Sequence, residues 1–96
     1  MVVIWSKSAI NELGKAYKYI AEDSLQNAKI VKDTLIQMTA DLSNNPEKHQ
    51  IDKLKIDNDG TWRAFEKFHY RISYRIVNNE VRIVRVRHTS KSPLQY

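Results

Sequence analysis

The sequence predicts an α+β fold: an N-terminal strand, then an antiparallel helical hairpin packed on one face of a mainly antiparallel sheet. Three observations predict it. A β-branched and aromatic run occupies 2–5, apolar residues recur at steps of three and four between 7 and 42, and apolar alternation at every second position dominates from 61 to 88. At 96 residues the chain can build a single core without dividing it, so residues 1–96 read as one domain.

The opening run VVIW is the first strand, and Ser6 after it can cap a helix. Ile10, Leu13, Tyr17 and Ile20, flanked by Ala9, Ala16 and Ala21, form one amphipathic stripe over about residues 7–22. Ser24 offers a second cap. Ala28, Val31, Leu35, Met38 and Leu42 then continue an a/d-like stripe up to SNNP, where Pro46 forbids continuation. Two helices joined by so short a connection lie antiparallel and cover one face of a sheet. A dimeric coiled coil is the alternative for the second helix, weakened by its length of barely three heptads. Between 47 and 61 the sequence mixes charge with DNDG, and DKLKID is a possible strand before a turn at Gly60. TWRAFEKF, HYRISYRIV and VRIVRVRH read as three strands, the last two joined at Asn78-Asn79.

Arginine inside these strands makes the register consequential. Tyr70, Ile72, Tyr74 and Ile76 share one face of their strand, and Arg71, Ser73, Arg75 and Val77 the other. A two-residue turn would set Arg75 against Arg82 and bring Arg85 and Arg87 onto the apolar face. Both outcomes are unfavourable. A three-residue loop, Asn78-Asn79-Glu80, inverts the partner's faces. It matches Val84 and Val86 with Tyr74 and Ile72 in the core and gathers Arg71, Ser73, Arg75, Arg85 and Arg87 outside. This is the expected register. Arg82 and His88 then end up at the two ends of the core face, where their long or polar side chains can snorkel.

Charge is unevenly distributed along the chain. Residues 1–60 carry eight Lys, no Arg and nine acids, whereas residues 61–96 carry six Arg, two Lys and two acids, within a formal total of +5. Guanidinium groups fit phosphate and carboxylate, so an anionic partner is expected. No cysteine is present, which removes disulfides, thiolate metal sites and cysteine nucleophiles and fits a reducing cytoplasm. No apolar run approaches the ~20 residues of a membrane span. His49 and His69 lack partners at metal-ligand spacing, and no serine sits in a nucleophile motif. Neither a metal nor a cofactor is therefore expected. Trp5 and Trp62 read as core aromatics, although Trp62, Phe65 and Phe68 lie near enough to basic residues to allow base stacking.

The sequence VIWS, the helical stretch LGKAYKYIAEDSLQNAKIVKDTLIQMTADLSNNP, then GTWRAF, YRISYRI and a last strand ending in VRH together resemble the RelE/ParE superfamily of bacterial toxins, the plasmid stabilisation proteins. The resemblance spans nearly the whole chain. It implies a toxin partnered by a cognate antitoxin in a hetero-oligomer, with an acidic or amphipathic segment of the antitoxin covering the arginines or the helical hairpin. RelE-like members cleave messenger RNA on the ribosome without metal, and ParE-like members share the fold but poison DNA gyrase without being enzymes. Residues 70–74, Y-R-I-S-Y, match the strand that in the cleaving branch carries a phosphate-stabilising arginine, here Arg71. Tyr96 resembles a tyrosine near the end of those enzymes, Lys91 stands near another basic residue, and His88 lies one position from a histidine of one subgroup. Two departures weaken the match: Trp62 and Ala64 stand where the cleaving branch often has lysines, and YIAEDS looks more like the ParE branch.

The leading expectation is a metal-independent, ribosome-associated mRNA endoribonuclease. Such a reaction needs a group to take the 2′-hydroxyl proton, cations for the phosphorane-like transition state and an acid for the leaving oxygen. Arg71, His88, Tyr96 and Lys91 are the catalytic candidates; Arg63, Arg75, Arg85 and Arg87 are the nucleic-acid-binding candidates. His88 has a structural alternative as a strand-end histidine bonded to backbone. The other readings are a gyrase inhibitor and a non-toxic antitoxin- or nucleic-acid-binding module.

Overall fold

The computed structural model describes residues 1–91. Its elements are β1 (Val2–Trp5), α1 (Lys7–Ala21), α2 (Leu25–Ala40), a 3-10 turn at Asp41–Ser43, β2 (Trp62–Lys67), β3 (Tyr70–Val77) and β4 (Glu80–His88). The sheet order is β1-β4-β3-β2, with β1 parallel to β4 and the other pairs antiparallel. The α+β class and the helical hairpin follow the sequence reading closely.

Both helices begin at the expected caps. The Ser6 hydroxyl accepts from the Ala9 N–H at 3.0 Å and the Ser24 hydroxyl from the Asn27 N–H at 3.1 Å, each satisfying a donor that a helix start leaves open. The α2 stripe buries Ala28, Leu35 and the following Leu42, as its spacing predicts. The buried line of α1 is rotated from the expected one. Ala9 and Ala16 are buried, with Leu13 and Ile20 packed against the core, while Ile10 is 56% exposed. Alanine lets the helix approach the sheet closely, and that approach, more than side-chain size, fixes which line faces inward.

In the last hairpin both registers weighed from the sequence are present, one on each side of a bulge. Asn78 and Asn79 have φ of 52° and 59° and form a two-residue turn, so Glu80 pairs with Val77 and Arg82 lies opposite Arg75. The expected three-residue loop is therefore corrected. Between Ser73 and Tyr74 the register shifts by one, and from there Ile72 pairs with Val86, Arg71 with Arg87 and Tyr70 with His88, as the alternative loop would have given. Val84 is the extra residue, and its carbonyl accepts from the Ser6 hydroxyl at 3.1 Å. Arg82 accordingly leaves the core face where it was expected and is exposed, bonded to Glu80 at 3.0 Å.

DKLKID is a turn and no strand. Only Ile51 bridges to Arg63, after which the Asp52 carboxylate accepts the Leu54 N–H at 2.9 Å and bends the chain away. Asn58 holds the two limbs together, donating to the carbonyls of Asp52 and Trp62 at 3.1 and 3.0 Å. A second two-residue turn, Phe68-His69, joins β2 to β3 with φ of 53° and 66°. Its residue types carry no turn signal, so the sequence reading ran both strands through it. The core centres on Leu35, Leu42, Ile72, Tyr74, Val81 and Ile83, all fully buried.

His49, on the chain between the 3-10 turn and β2, stacks on Phe65 with ring centroids 4.3 Å apart. Burial, with Lys48 adding to it, pushes its pKa below the ordinary 6.5. Its native state therefore resists protonation while the unfolded chain accepts it. Stability is full above about pH 6.5, falls as pH drops from there toward the depressed value, and levels off below it. Melting temperature is expected to fall between pH 7 and 5, and His49→Phe, which keeps the ring stack, should flatten that slope. An unchanged slope in the variant would assign the pH dependence to other groups.

Candidate functional site

The outer face of the sheet carries Arg71 and Arg75 from β3, with Arg82, Arg85 and Arg87 paired to or near them on β4. Alternation alone would make this a strongly cationic surface. Carboxylates from elsewhere in the chain intervene. Arg71 Nη2 meets Asp52 Oδ1 at 2.6 Å and its Nη1 meets Glu66 Oε2 at 3.1 Å. Arg75 lies 3.3 Å from Asp59, bonds the Thr61 hydroxyl at 2.9 Å and sits over the Trp62 ring at 5.2 Å. Arg85 reaches Glu12 on α1 at 3.4 Å. The unfavourable Arg75–Arg82 opposition is relieved in this way, because each guanidinium turns to its own carboxylate.

Arg71 is held most firmly. The Asp52 side chain is 0% exposed and that of Arg71 22%. Burial works against the charge of Arg71, but the hydrogen bonds and charges of Asp52 and Glu66 more than offset it and raise its pKa above the ordinary value. Its Nε is buried with no hydrogen-bond partner among the described residues. The pair fastens the 47–60 segment onto the sheet. Asp59, exposed, has its pKa lowered chiefly by hydrogen bonds from Thr61, with Arg75 contributing less.

The remaining candidates are dispersed. Arg63 lies on the opposite face, paired with Tyr74, and donates to the carbonyls of His49 at 2.7 Å and Glu47 at 3.5 Å, so it serves the loop and stands apart from the arginine face. His88 pairs with Tyr70 on the helix side, as the register predicts, and its Nδ1 accepts the Ser90 N–H at 3.0 Å. Arg87 pairs with Arg71 and is half-buried. Lys91 is exposed at the end of the described chain, and Tyr96 lies outside the described residues. Arg71 and His88 are thus on opposite faces of the sheet. Sequence reasoning missed Asp52, Glu66 and Glu12 as the partners of the arginines. Glu66 was within reach of pattern reading, standing opposite Arg71 once the Phe68-His69 turn is placed.

Among the described residues, no three His, Cys, Asp or Glu side chains group as a metal site, and no helix is long and apolar enough to cross a membrane.

A helical hairpin on a four-stranded mixed sheet is similar in fold to solved toxin structures. Solved structures with this fold include the chromosomal ParDE toxin-antitoxin system of P. aeruginosa, at 15% identity and a TM-score of 0.71 over 92% of this chain and 95% of that one. The isolated E. coli RelE toxin matches at 16% identity and a TM-score of 0.64, over 95% and 86%. A heterotetrameric YoeB-YefM toxin-antitoxin complex from Staphylococcus aureus matches at 15% and 0.50, over 92% and 95%. No curated protein matches the sequence. Residues 3–93 match the family of the ParE toxin of the type II toxin-antitoxin system parDE, and the chain belongs to that family.

Proposed function

We propose that this type II toxin acts by binding a protein target, DNA gyrase, and cuts no RNA. The observation that carries the reading is the state of Arg71. Stabilising a phosphorane-like transition state requires a guanidinium free to meet developing negative charge. Arg71 already meets two carboxylates, one of them fully buried, at 2.6 and 3.1 Å. An RNA phosphate would have to displace Asp52 from a buried pair or approach against the field of both acids. His88 lies on the opposite face of the sheet from it, paired with Tyr70. Membership of the ParE family points the same way.

The toxin works in the cytoplasm beside a cognate antitoxin, forming a hetero-oligomer with it. Ribosome and messenger RNA, the partners expected on the nuclease reading, have less support from the side-chain arrangement. The test is a pair of assays on one protein stock. DNA supercoiling by gyrase should be inhibited in proportion to toxin, and primer extension on ribosome-bound message should show no new ends. Cuts at codon edges with supercoiling unaffected would overturn the proposal.

A further inference from the structure

On the sheet, positive charge is compensated; beside it, charge remains available. Arg71, Arg75, Arg82 and Arg85 each have a carboxylate within 3.4 Å. Lys15 and Lys91 have no ion-pair partner among the described residues, and both border a cleft of about 450 Å³ between α1 and β4. That volume suits a small molecule, for which ~300–1,000 Å³ is usual.

The cleft exists because β1 is short. It ends at Trp5, opposite Ile83, and Ser6 turns the chain into α1, so the last residues of β4 have a helix beside them in place of a strand. Glu12 fills the first step of the resulting wedge, its carboxylate accepting the Val86 N–H at 3.0 Å while also pairing with Arg85. One turn further along α1 no described residue fills it. Ala16 and Val86 give its lining apolar surface, and Tyr19 from α1 and Tyr70 from β3 border it as well.

The polar groups offered there are mostly donors. Lys15 and Lys91 bring ammonium groups. The Nδ1 of His88 takes the Ser90 N–H, which leaves the proton of the neutral ring on Nε2. Burial, with Tyr19 adding to it, raises the pKa of the Tyr70 hydroxyl, which therefore stays protonated. Glu12, the acid of the lining, is already engaged. A wall of donors with two phenol rings fits a ligand built of acceptors on a flat apolar body.

We propose that the α1–β4 cleft binds a phosphate monoester carried on a planar ring, the phosphate between Lys15 and Lys91 and the ring against Tyr19 and Tyr70. A free nucleotide and the 5′-phosphorylated end of a strand present the same chemistry. The test is heteronuclear NMR of the whole chain titrated with adenosine monophosphate, inorganic phosphate, adenosine and a 5′-phosphorylated dinucleotide. The monophosphate should give saturable shifts at Tyr19, Val86 and His88, tighter than phosphate alone, and adenosine should give none. Lys15→Ala, at an exposed helix position, should weaken binding about tenfold with the melting temperature unchanged. Dinucleotide binding matching that of the monophosphate would identify a strand end as the source, and its exclusion from the cleft a free nucleotide. Absence of saturable shifts, equal binding of phosphate and monophosphate, shifts centred on Arg75 and Arg82, or indifference to both Lys15→Ala and Lys91→Ala would each overturn the site. Neither gyrase nor ribosomes enter this titration, so its outcome is separate from that of the supercoiling assay.

Discussion

Arg71→Ala is expected to lower the unfolding free energy by about 3 kcal/mol, because it leaves the carboxylate of Asp52 buried without its guanidinium. In a domain of this size that corresponds to a fall in melting temperature of roughly 12–24 °C. The Leu54 N–H still donates to Asp52, and Arg71 keeps 22% exposure, which holds the loss at the lower end of the range for broken buried pairs. Asp52→Ala should cost less, since the freed guanidinium retains Glu66 and some solvent. Asp52→Leu combined with Arg71→Met removes both charges and keeps apolar volume, and most of the stability should return. Denaturant unfolding of the double variant beside Asp52→Leu and Arg71→Met singly gives the coupling directly. Losses that simply add, with no recovery in the double variant, would show that the pair is unimportant to the fold.

Tyr74→Ala should be comparably severe, at about 3–5 kcal/mol. Tyr74 is the largest of the fully buried side chains and sits in β3 on the face covered by the helices. Its hydroxyl donates to the Pro46 carbonyl at 2.8 Å, fastening the loop that leaves α2 to the centre of the sheet. Burial raises its pKa, so the hydroxyl remains a donor throughout the physiological range. Tyr74→Phe keeps the ring and removes the donor, and should cost only about 1 kcal/mol. Thermal unfolding separates the two contributions. A phenylalanine variant as damaged as the alanine variant would mean that the loop anchor outweighs the core packing.

The helices were legible because a 3.6-residue period and a side-chain cap are local signals, and Ser6, Ser24 and Pro46 supplied the boundaries. The inward line of α1 was less so, since Ala9 and Ala16 carry little hydrophobic signal and become buried only through close approach to the sheet. The last hairpin showed two registers in its pattern because it contains two. The bulge at Val84 depends on Ser6, far away in sequence, accepting a role in the sheet as well as in the helix. The arginine face was visible as a set of residues and invisible as an electrostatic surface. Its neutralisation comes from Asp52, Asp59 and Glu12, which lie on a turn, a loop and a helix whose docking onto the strands no spacing rule encodes.

Growth arrest on induction of the Asp52→Leu/Arg71→Met variant, checked for folding by its melting temperature, bears most directly on whether Arg71 is a structural tie. The expected result is a folded protein that halts growth as the parent does. A folded protein that leaves growth unaffected would contradict it, since Arg71 would then be acting on the target itself.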